Sequence, residues 1–252
     1  MFMPGDTSWM SEKFANLQRE GLDWNPPTLE TANEPRCIMN GRPTIMLSAN
    51  NYLNFTNHPR VVSAMIEATQ KYGAGSGSVR AIAGTMDIHL DAEKKVAEFK
   101  GVESALIYSS GYTANVGLIP SLVQGPQDVI ISDELNHASI IESCKLSGAK
   151  ISIYKHNDMD DLADKIKKQG KNKFVITEGV FSMDGDVSSL KEITEISQKS
   201  NAITIVDDAH GDFVIGKDGK GTPEYFNVAK KIDLYISSLS KGLGSFGGYV
   251  AS

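Results

Sequence analysis

The sequence has few cysteines and no long apolar stretch. Cys37 and Cys144 are its only cysteines, too few for a disulfide framework. No apolar run approaches the roughly 20 residues that a membrane-spanning helix needs. The segment Met1–Phe14 carries charged residues and no apolar core, so it does not resemble a signal peptide. These absences favour a cytoplasmic protein with no membrane partner.

An excess of positive charge is also missing. With 25 Lys and Arg against 31 Asp and Glu, the formal net charge is −6, so nucleic-acid binding is not expected. The glycine-rich segment Gly73–Arg80 lacks the Gly-Lys-Ser/Thr ending of a phosphate-binding P-loop. It also does not follow an obvious strand, as a dinucleotide-binding loop would. A nucleotide-binding protein is therefore disfavoured, and no metal site is predicted.

Strand-like and helix-like segments alternate along most of the chain. Short apolar, β-branched runs predict buried strands at Ala105–Tyr108, Asp128–Ser132, Ile151–Tyr154, Phe174–Thr177, Ala202–Val206 and Leu234–Ser237. Helical patterns cover His58–Tyr72, Ile88–Phe99, Asn136–Leu146 (with Asn136 as its cap), Asp158–Lys168 and Leu190–Ser200. This alternation predicts an α/β fold with a mostly parallel sheet and helices on both faces. Residues 1–45 are less regular and are predicted to form an N-terminal arm before a large domain at 46–252.

Polar residues follow five of the predicted strands. They are Ser110-Gly111-Tyr112, His137, Ser182, Asp207 with His210, and Lys241. In open α/β sheets, ligands bind beyond the carboxyl ends of the strands, so these residues are expected to meet at one edge.

Lys241 stands among hydroxyls and glycines directly after an apolar run. An amine that burial keeps partly deprotonated can form a Schiff base with an aldehyde. Ser238, three residues earlier, offers a hydroxyl to a phosphate, and Gly111 opens a helix whose N–H groups attract anions. A surface lysine in a flexible loop is the alternative interpretation.

Asp207 ends a buried strand, where a carboxylate can pair with a protonated pyridine nitrogen. Asp208 has a similar claim, and the spacing does not choose between the two. His210 has the chemistry to donate to a phenolate oxygen, and His137 to stack on a flat ring; each is otherwise a structural histidine. Lysine, acid, histidine and hydroxyls together indicate a site for pyridoxal phosphate (PLP).

Six segments of the chain resemble the α-oxoamine synthases, PLP enzymes of the fold-type-I aminotransferase superfamily. They occur in the family's order across about residues 45–252: Ser48–Leu53, Ser78–Thr85, Ser132–Ser139, Glu178–Gly185, Val206–Gly211 and Ser238–Gly248. The resemblance implies a large PLP-binding domain of that fold.

The resemblance also implies roles for single residues. Lys241 would hold PLP covalently and move the substrate's Cα proton. Asp207 would bind the ring nitrogen, His210 the phenolic oxygen, and His137 would stack on the ring. Lys241, His137 and Asp207 are the expected catalytic residues.

Five further positions are assigned to ligand contacts by the same resemblance. The backbone at Gly111 and Tyr112 and the hydroxyl of Ser238 would bind the cofactor. Ser182 would lie beside the ring, and Asn50 near the amino-acid substrate.

The family joins an acyl-CoA to a small amino acid, releasing coenzyme A, in a homodimer whose active site lies at the subunit interface. Our first expectation is glycine C-acetyltransferase, which makes 2-amino-3-oxobutyrate from glycine and acetyl-CoA. The alternative is 8-amino-7-oxononanoate synthase, which uses alanine and pimeloyl-CoA. A non-catalytic partner subunit or scaffold is an alternative of another class.

Two departures from the family stand out. Asn54 occupies a position where the family usually has glycine. The chain also stops before the family's C-terminal small domain and its carboxylate-binding arginine, so we expect these 252 residues to be part of a longer protein.

Overall fold

The computed structural model describes residues 6–123, 125–168 and 170–252. The chain divides into two compact units between Leu47 and Ser48. In the first, helix α1 (Ser8–Arg19) precedes an antiparallel pair of strands, β1 (Arg36–Met39) and β2 (Arg42–Ile45). The division into an N-terminal arm and a cofactor-binding domain stays a proposal.

The second unit alternates helices and strands, close to the predicted pattern. Its helices are α2 (Pro59–Tyr72), α3 (Asp87–Lys100), α4 (Gly111–Leu122), α5 (Ala138–Leu146), α6 (Met159–Lys165), α7 (Leu190–Lys199) and α8 (Thr222–Tyr225). Its strands are β3 (Ala105–Tyr108), β4 (Val129–Asp133), β5 (Lys150–Tyr154), β6 (Lys173–Glu178), β7 (Ile203–Asp207), β8 (Leu234–Ser238) and β9 (Gly248–Ala251). Within the described ranges, no helix has the length and apolar character of a membrane span.

In the described part of the chain, these strands form one seven-stranded sheet in the order β3-β9-β8-β7-β6-β4-β5. The pairs from β5 to β8 are parallel, whereas β9 runs antiparallel to both β8 and β3. The predicted α/β class is confirmed. The sequence analysis missed β9, a short strand that starts directly after a glycine-rich loop.

Side chains alternate between the two faces of the sheet, and each face is covered by helices. Val129 and Ile131 of β4 pack in one core cluster, with residues of α3, α6 and α7. Ile130, between them, packs in the other cluster with residues of α4 and α5. This period of two explains why the buried strands read as continuous apolar runs.

The cap of α5 differs from the prediction. His137, not Asn136, is the cap, and its Nδ1 accepts the Ser139 N–H at 3.2 Å. The Asn136 side chain instead donates to Ser132 Oγ and to the Ile176 carbonyl, each at 2.9 Å. Asn136 is therefore bound across the ends of β4 and β6 and is unavailable as a cap.

Asn54 keeps the backbone conformation that glycine favours. Its φ is +55°, in the left-handed region that Asn tolerates better than most residues. The Asn54 N–H donates to the Asn51 carbonyl at 2.9 Å, and the Asn51 side chain donates to Asn54 Oδ1 at 3.2 Å. The departure from the family pattern thus preserves a left-handed turn.

A buried ion pair ties α3 to the loop after β7. Lys100 Nζ lies 2.6 Å from Asp212 Oδ1, and both side chains are 1% exposed. Lys100 also donates to the Lys220 carbonyl at 2.9 Å, and the Tyr249 hydroxyl donates to the other oxygen of Asp212. Lys100 and Asp212 thus have hydrogen-bond partners, which buried polar groups need because they have lost their contacts with water.

Lys100→Met is expected to lower the free energy of unfolding by about 3–5 kcal/mol, because it leaves the Asp212 carboxylate buried without its cation. Urea unfolding measures this loss. The matched control is Lys94→Met on the same helix, whose partner Glu98 is 3.9 Å away with side chains 75% and 64% exposed. The control should change stability by no more than about 0.5 kcal/mol. Equal losses in the two variants would contradict the assigned role of the ion pair.

Candidate active site

A cavity of about 200 Å³ opens at the carboxyl ends of the parallel strands. Its lining comes from the segments that follow β3, β4, β6, β7 and β8. The residues are Ser110, Gly111, Tyr112, His137, Ser139, Glu178, Asp207, Ala209, His210, Ser238, Ser240 and Lys241. Seven of the nine predicted site residues therefore line one cavity; Asn50 and Ser182 are not among them.

One end of the cavity suits an anion. Ser110 caps α4 through its Oγ, which accepts the Thr113 N–H at 3.0 Å, and Ser238 Oγ lies 2.8 Å from Ser240 Oγ. A Cβ atom on Gly111 would stand 3.4 Å from the Cβ of Ser238. Hydroxyls around the start of a helix, where the backbone can approach closely, fit a phosphate group.

Asp207 forms the floor of the cavity and is 6% exposed. Its Oδ2 accepts from Asn115 Nδ2 at 2.7 Å, and its Oδ1 accepts the Ala209 N–H at 3.1 Å. Burial raises the pKa of the Asp207 carboxyl, while Asn115 and the charge of Lys241 oppose that rise. A carboxylate fixed in this way is a strong partner for a protonated ring nitrogen.

The geometry separates Asp207 from Asp208, which the spacing alone left equivalent. Asp208 is fully buried away from the cavity lining. Its Oδ2 accepts the Thr222 N–H at 2.7 Å, and its Oδ1 accepts from Thr222 Oγ1 at 2.9 Å. Of the two acids, Asp207 is thus the one in reach of a ligand.

A chain of contacts runs from Lys241 to Asn50. Lys241 Nζ lies 2.7 Å from His210 Nε2, His210 Nδ1 lies 2.7 Å from the Tyr52 hydroxyl, and that hydroxyl is 3.3 Å from Asn50 Oδ1. Burial, helped by the charges of Lys241 and His137, lowers the pKa of His210 to about 4. His210 is therefore a neutral imidazole at neutral pH, able to accept from one neighbour and donate to the other.

Burial also lowers the pKa of the Lys241 amine, against the opposing charges of Asp207 and Glu178. A larger fraction of this lysine is therefore uncharged at a given pH than in an exposed lysine. An uncharged amine is the form that attacks an aldehyde or takes up a proton.

Ser182 lies in a second cavity of about 240 Å³, whose lining includes Tyr52, Phe181 and His210. His210 lines both cavities, whereas Ser182 lines only the second and Lys241 only the first. Its predicted place beside a cofactor ring stays a proposal, as do the roles of the other site residues.

The sequence analysis overlooked Glu178 as a site residue. It ends β6 directly opposite Asp207 in the sheet, is 3% exposed, and its Oε1 accepts the His137 N–H at 2.5 Å. Burial, and then the charge of Asp207, raises the pKa of Glu178 to about 8. Its position could have been recognised from the sequence, because Glu178, like Asp207, is an acid at the end of an apolar strand.

Asn115 and Tyr52 were also overlooked. Asn115 lies inside α4, four residues from the helix start, where nothing in the local pattern distinguishes it. Its Oδ1 is buried and has no hydrogen-bond partner among the described residues. Tyr52 is far from His210 in sequence, so only the folded chain reveals their contact.

The family model for aminotransferase class I and II matches residues 42–252. The chain belongs to this family. The resemblance to the α-oxoamine synthases and the fold-type-I architecture are thereby confirmed, in agreement with the individual relatives.

Among curated proteins, 8-amino-7-oxononanoate synthase from Thermoanaerobacter pseudethanolicus is 49% identical over 98% of this chain and 63% of its own length. Serine palmitoyltransferase from S. paucimobilis, solved with PLP–myriocin bound, has a TM-score of 0.89 and 32% identity, covering 97% of this chain and 62% of that one. The 8-amino-7-oxononanoate synthase from Francisella tularensis has a TM-score of 0.70 and 32% identity, over 81% of this chain and 57% of that one. The chain thus spans less than two thirds of the length of these relatives.

Glu178→Gln is expected to change how stability depends on pH. The folded protein holds this proton up to about pH 8, whereas the unfolded carboxyl releases it near its ordinary value of 4.5. Between these limits the wild-type protein loses stability as pH rises, and the glutamine variant has no such ionisation. Its stability relative to wild type should therefore rise by on the order of 2–4 kcal/mol across this window.

Urea unfolding at several pH values measures the difference. The exposed Glu195→Gln is the control for the change in net charge. A difference between Glu178→Gln and wild type that stays constant with pH would show that Glu178 does not titrate in the folded protein.

Proposed function

We propose that this chain forms the cofactor-binding part of a PLP-dependent acyltransferase that joins an acyl-CoA to an amino acid. The observation that carries the proposal is the placement of Lys241 Nζ 2.7 Å from His210 Nε2, in a cavity floored by Asp207. These three groups match the aldehyde, the phenolic oxygen and the ring nitrogen of PLP.

The remaining lining also fits PLP. The start of α4 with Ser110, Gly111 and Ser238 would hold the phosphate. His137 borders the same cavity and would lie against the ring. When bound, PLP supplies an electron sink that stabilises a negative charge at the substrate's Cα.

Asp207, Lys241 and His210 would have different roles toward the bound cofactor. Asp207 would accept from the protonated ring nitrogen of PLP and favour that protonated form. Lys241, whose amine pKa is lowered by burial, would anchor PLP covalently and, as a free amine, would accept the Cα proton of the substrate. His210, a neutral imidazole fixed by Tyr52, orients the ring without adding a charge.

For the substrates, we propose alanine and pimeloyl-CoA, giving 8-amino-7-oxononanoate with release of coenzyme A and carbon dioxide. Support comes from the curated relatives, which carry that name at 42–50% identity. They favour this alternative over our first expectation from the sequence, glycine with acetyl-CoA. A homodimer with the active site at its interface and a cytoplasmic location remain part of the same proposal.

Product analysis by mass spectrometry separates the two activities. The PLP-loaded protein is incubated in parallel with alanine and pimeloyl-CoA, and with glycine and acetyl-CoA. Formation of 8-amino-7-oxononanoate supports the proposed substrates, and formation of 2-amino-3-oxobutyrate alone overturns them. A full-length protein that binds PLP and forms neither product would overturn both substrate assignments.

Lys241→Ala is expected to abolish covalent retention of PLP and to lower activity at least about a hundredfold, since both the anchor and the proton acceptor are lost. Borohydride reduction followed by mass spectrometry measures the covalent adduct. Lys217→Ala, which removes an exposed lysine, is the control and should behave as wild type. A reduced adduct in Lys241→Ala, or none in the wild-type protein, would contradict the assignment.

A further inference from the structure

His156 lies between two carboxylates outside the cofactor cavity. Its Nδ1 is 2.9 Å from Asp133 Oδ1 at the end of β4, and its Nε2 is 2.8 Å from Asp186 Oδ2 in the loop after β6. The Asp133 side chain is almost completely buried, and that of His156 is 21% exposed. One side chain therefore joins two segments that are distant in sequence.

This geometry selects the charged form of His156. A carboxylate only accepts hydrogen bonds, so both ring nitrogens must carry hydrogen to satisfy both partners. Burial by itself would lower the pKa of His156, but the hydrogen bonds that its ring donates to Asp133 and Asp186 outweigh burial and raise it. Charge-assisted hydrogen bonds of this kind are stronger than neutral ones.

The neighbouring contacts reinforce the same connection. The Asn157 N–H donates to Asp133 Oδ2 at 3.0 Å, and the Asn157 side chain donates to the Val187 carbonyl at 3.1 Å. The His156 N–H donates to Glu134 Oε1 at 2.9 Å. Asp133, Asp186 and Glu134 are thus the charged groups that face His156.

The loop that His156 holds, residues 180–187, forms one wall of the second cavity. Phe181 packs its ring edge-on against His156 at 4.4 Å between centroids, and its N–H donates to the Asp186 carbonyl at 2.9 Å. Ser182, the next residue, lines the cavity that also contains His210. The loop is therefore connected to His156 on one side and borders the candidate active site on the other.

We propose that His156 is a positioning residue: as an imidazolium between Asp133 and Asp186, it fastens loop 180–187 and thereby places Ser182 beside His210. The consequence for substrate or cofactor binding rests on the proposed function. The fastening of the loop does not, because it follows from contacts within the described chain.

The sign of the pH dependence follows from the two hydrogen bonds. A histidine whose pKa is raised on folding contributes stability at low pH and loses that contribution as pH rises through the raised value. The neutral ring has a single N–H, so one carboxylate then faces an unprotonated nitrogen. The loop should therefore be most firmly held at low pH and released as pH rises.

Hydrogen–deuterium exchange with mass spectrometry tests this on the purified protein, at about pH 6 and about pH 9, with correction for intrinsic exchange rates. At the lower pH, His156→Gln should exchange about tenfold faster than wild type in peptides covering 180–187. At the higher pH the difference between the two proteins should be smaller, because the neutral ring keeps only one of its two hydrogen bonds. His89→Gln is the matched control. His89 Nδ1 accepts the Met86 N–H at the start of α3, and His89 does not contact this loop.

Equal exchange of the loop in wild type and His156→Gln at the lower pH would overturn the proposal, as would a wild-type loop whose exchange ignores pH. If His156→Gln also loses protection throughout β6, Asp186→Asn decides instead, because it removes the negative charge from only the loop side of the bridge. Faster loop exchange in Asp186→Asn supports the proposal, and unchanged exchange overturns it. Either result is obtained without substrates, so it is distinguishable from failure of the proposed function.

Discussion

The candidate site depends on one buried acid, the Asp207 carboxyl at the end of the central strand β7. Its two oxygens accept from the Asn115 amide and the Ala209 N–H, so protein groups fix the orientation of the carboxyl. Its field acts on the groups around it: it favours the protonated form of Lys241 and disfavours the charged form of Glu178. Burial and the neighbouring Asp207 thus act together on the pKa values of Lys241 and Glu178.

Asp207 and Asp208, adjacent at the end of β7, point to opposite sides of the sheet. Asp207 faces the cavity, while Asp208 binds Thr222 in the buried region that also contains Lys100 and Asp212. Because side chains alternate along a strand, the acid that meets the ligand and the acid that supports the following loop are adjacent in sequence. The register of β7 therefore determines both the contact of Asp207 with the cavity and the contact of Asp208 with Thr222.

Much of this arrangement was predictable, because apolar β-branched runs identify buried strands and parallel strands bring their ends together. That logic predicts that Lys241, Asp207, His210 and His137 meet at one edge of the sheet, and all four line one cavity. The sequence pattern does not predict side-chain contacts between residues that are distant in the chain. The orientation of Asp207 against Asp208, the contact of Tyr52 with His210 and the bridge at His156 all depend on packing between segments, which no local pattern encodes.

Strand β9 has a further consequence for the lysine. Ser238 at the end of β8 pairs with Gly248 at the start of β9, so the nine residues between them, which include Lys241, form a loop pinned at both ends by the sheet. Gly248 fits only because it lacks a side chain, since a Cβ there would lie 2.4 Å from the Gly111 amide nitrogen. The backbone at the end of this loop is thus held against the start of α4. Under the proposed function, a ligand attached at Lys241 would meet a backbone that is already ordered, so little backbone entropy would be lost on attachment.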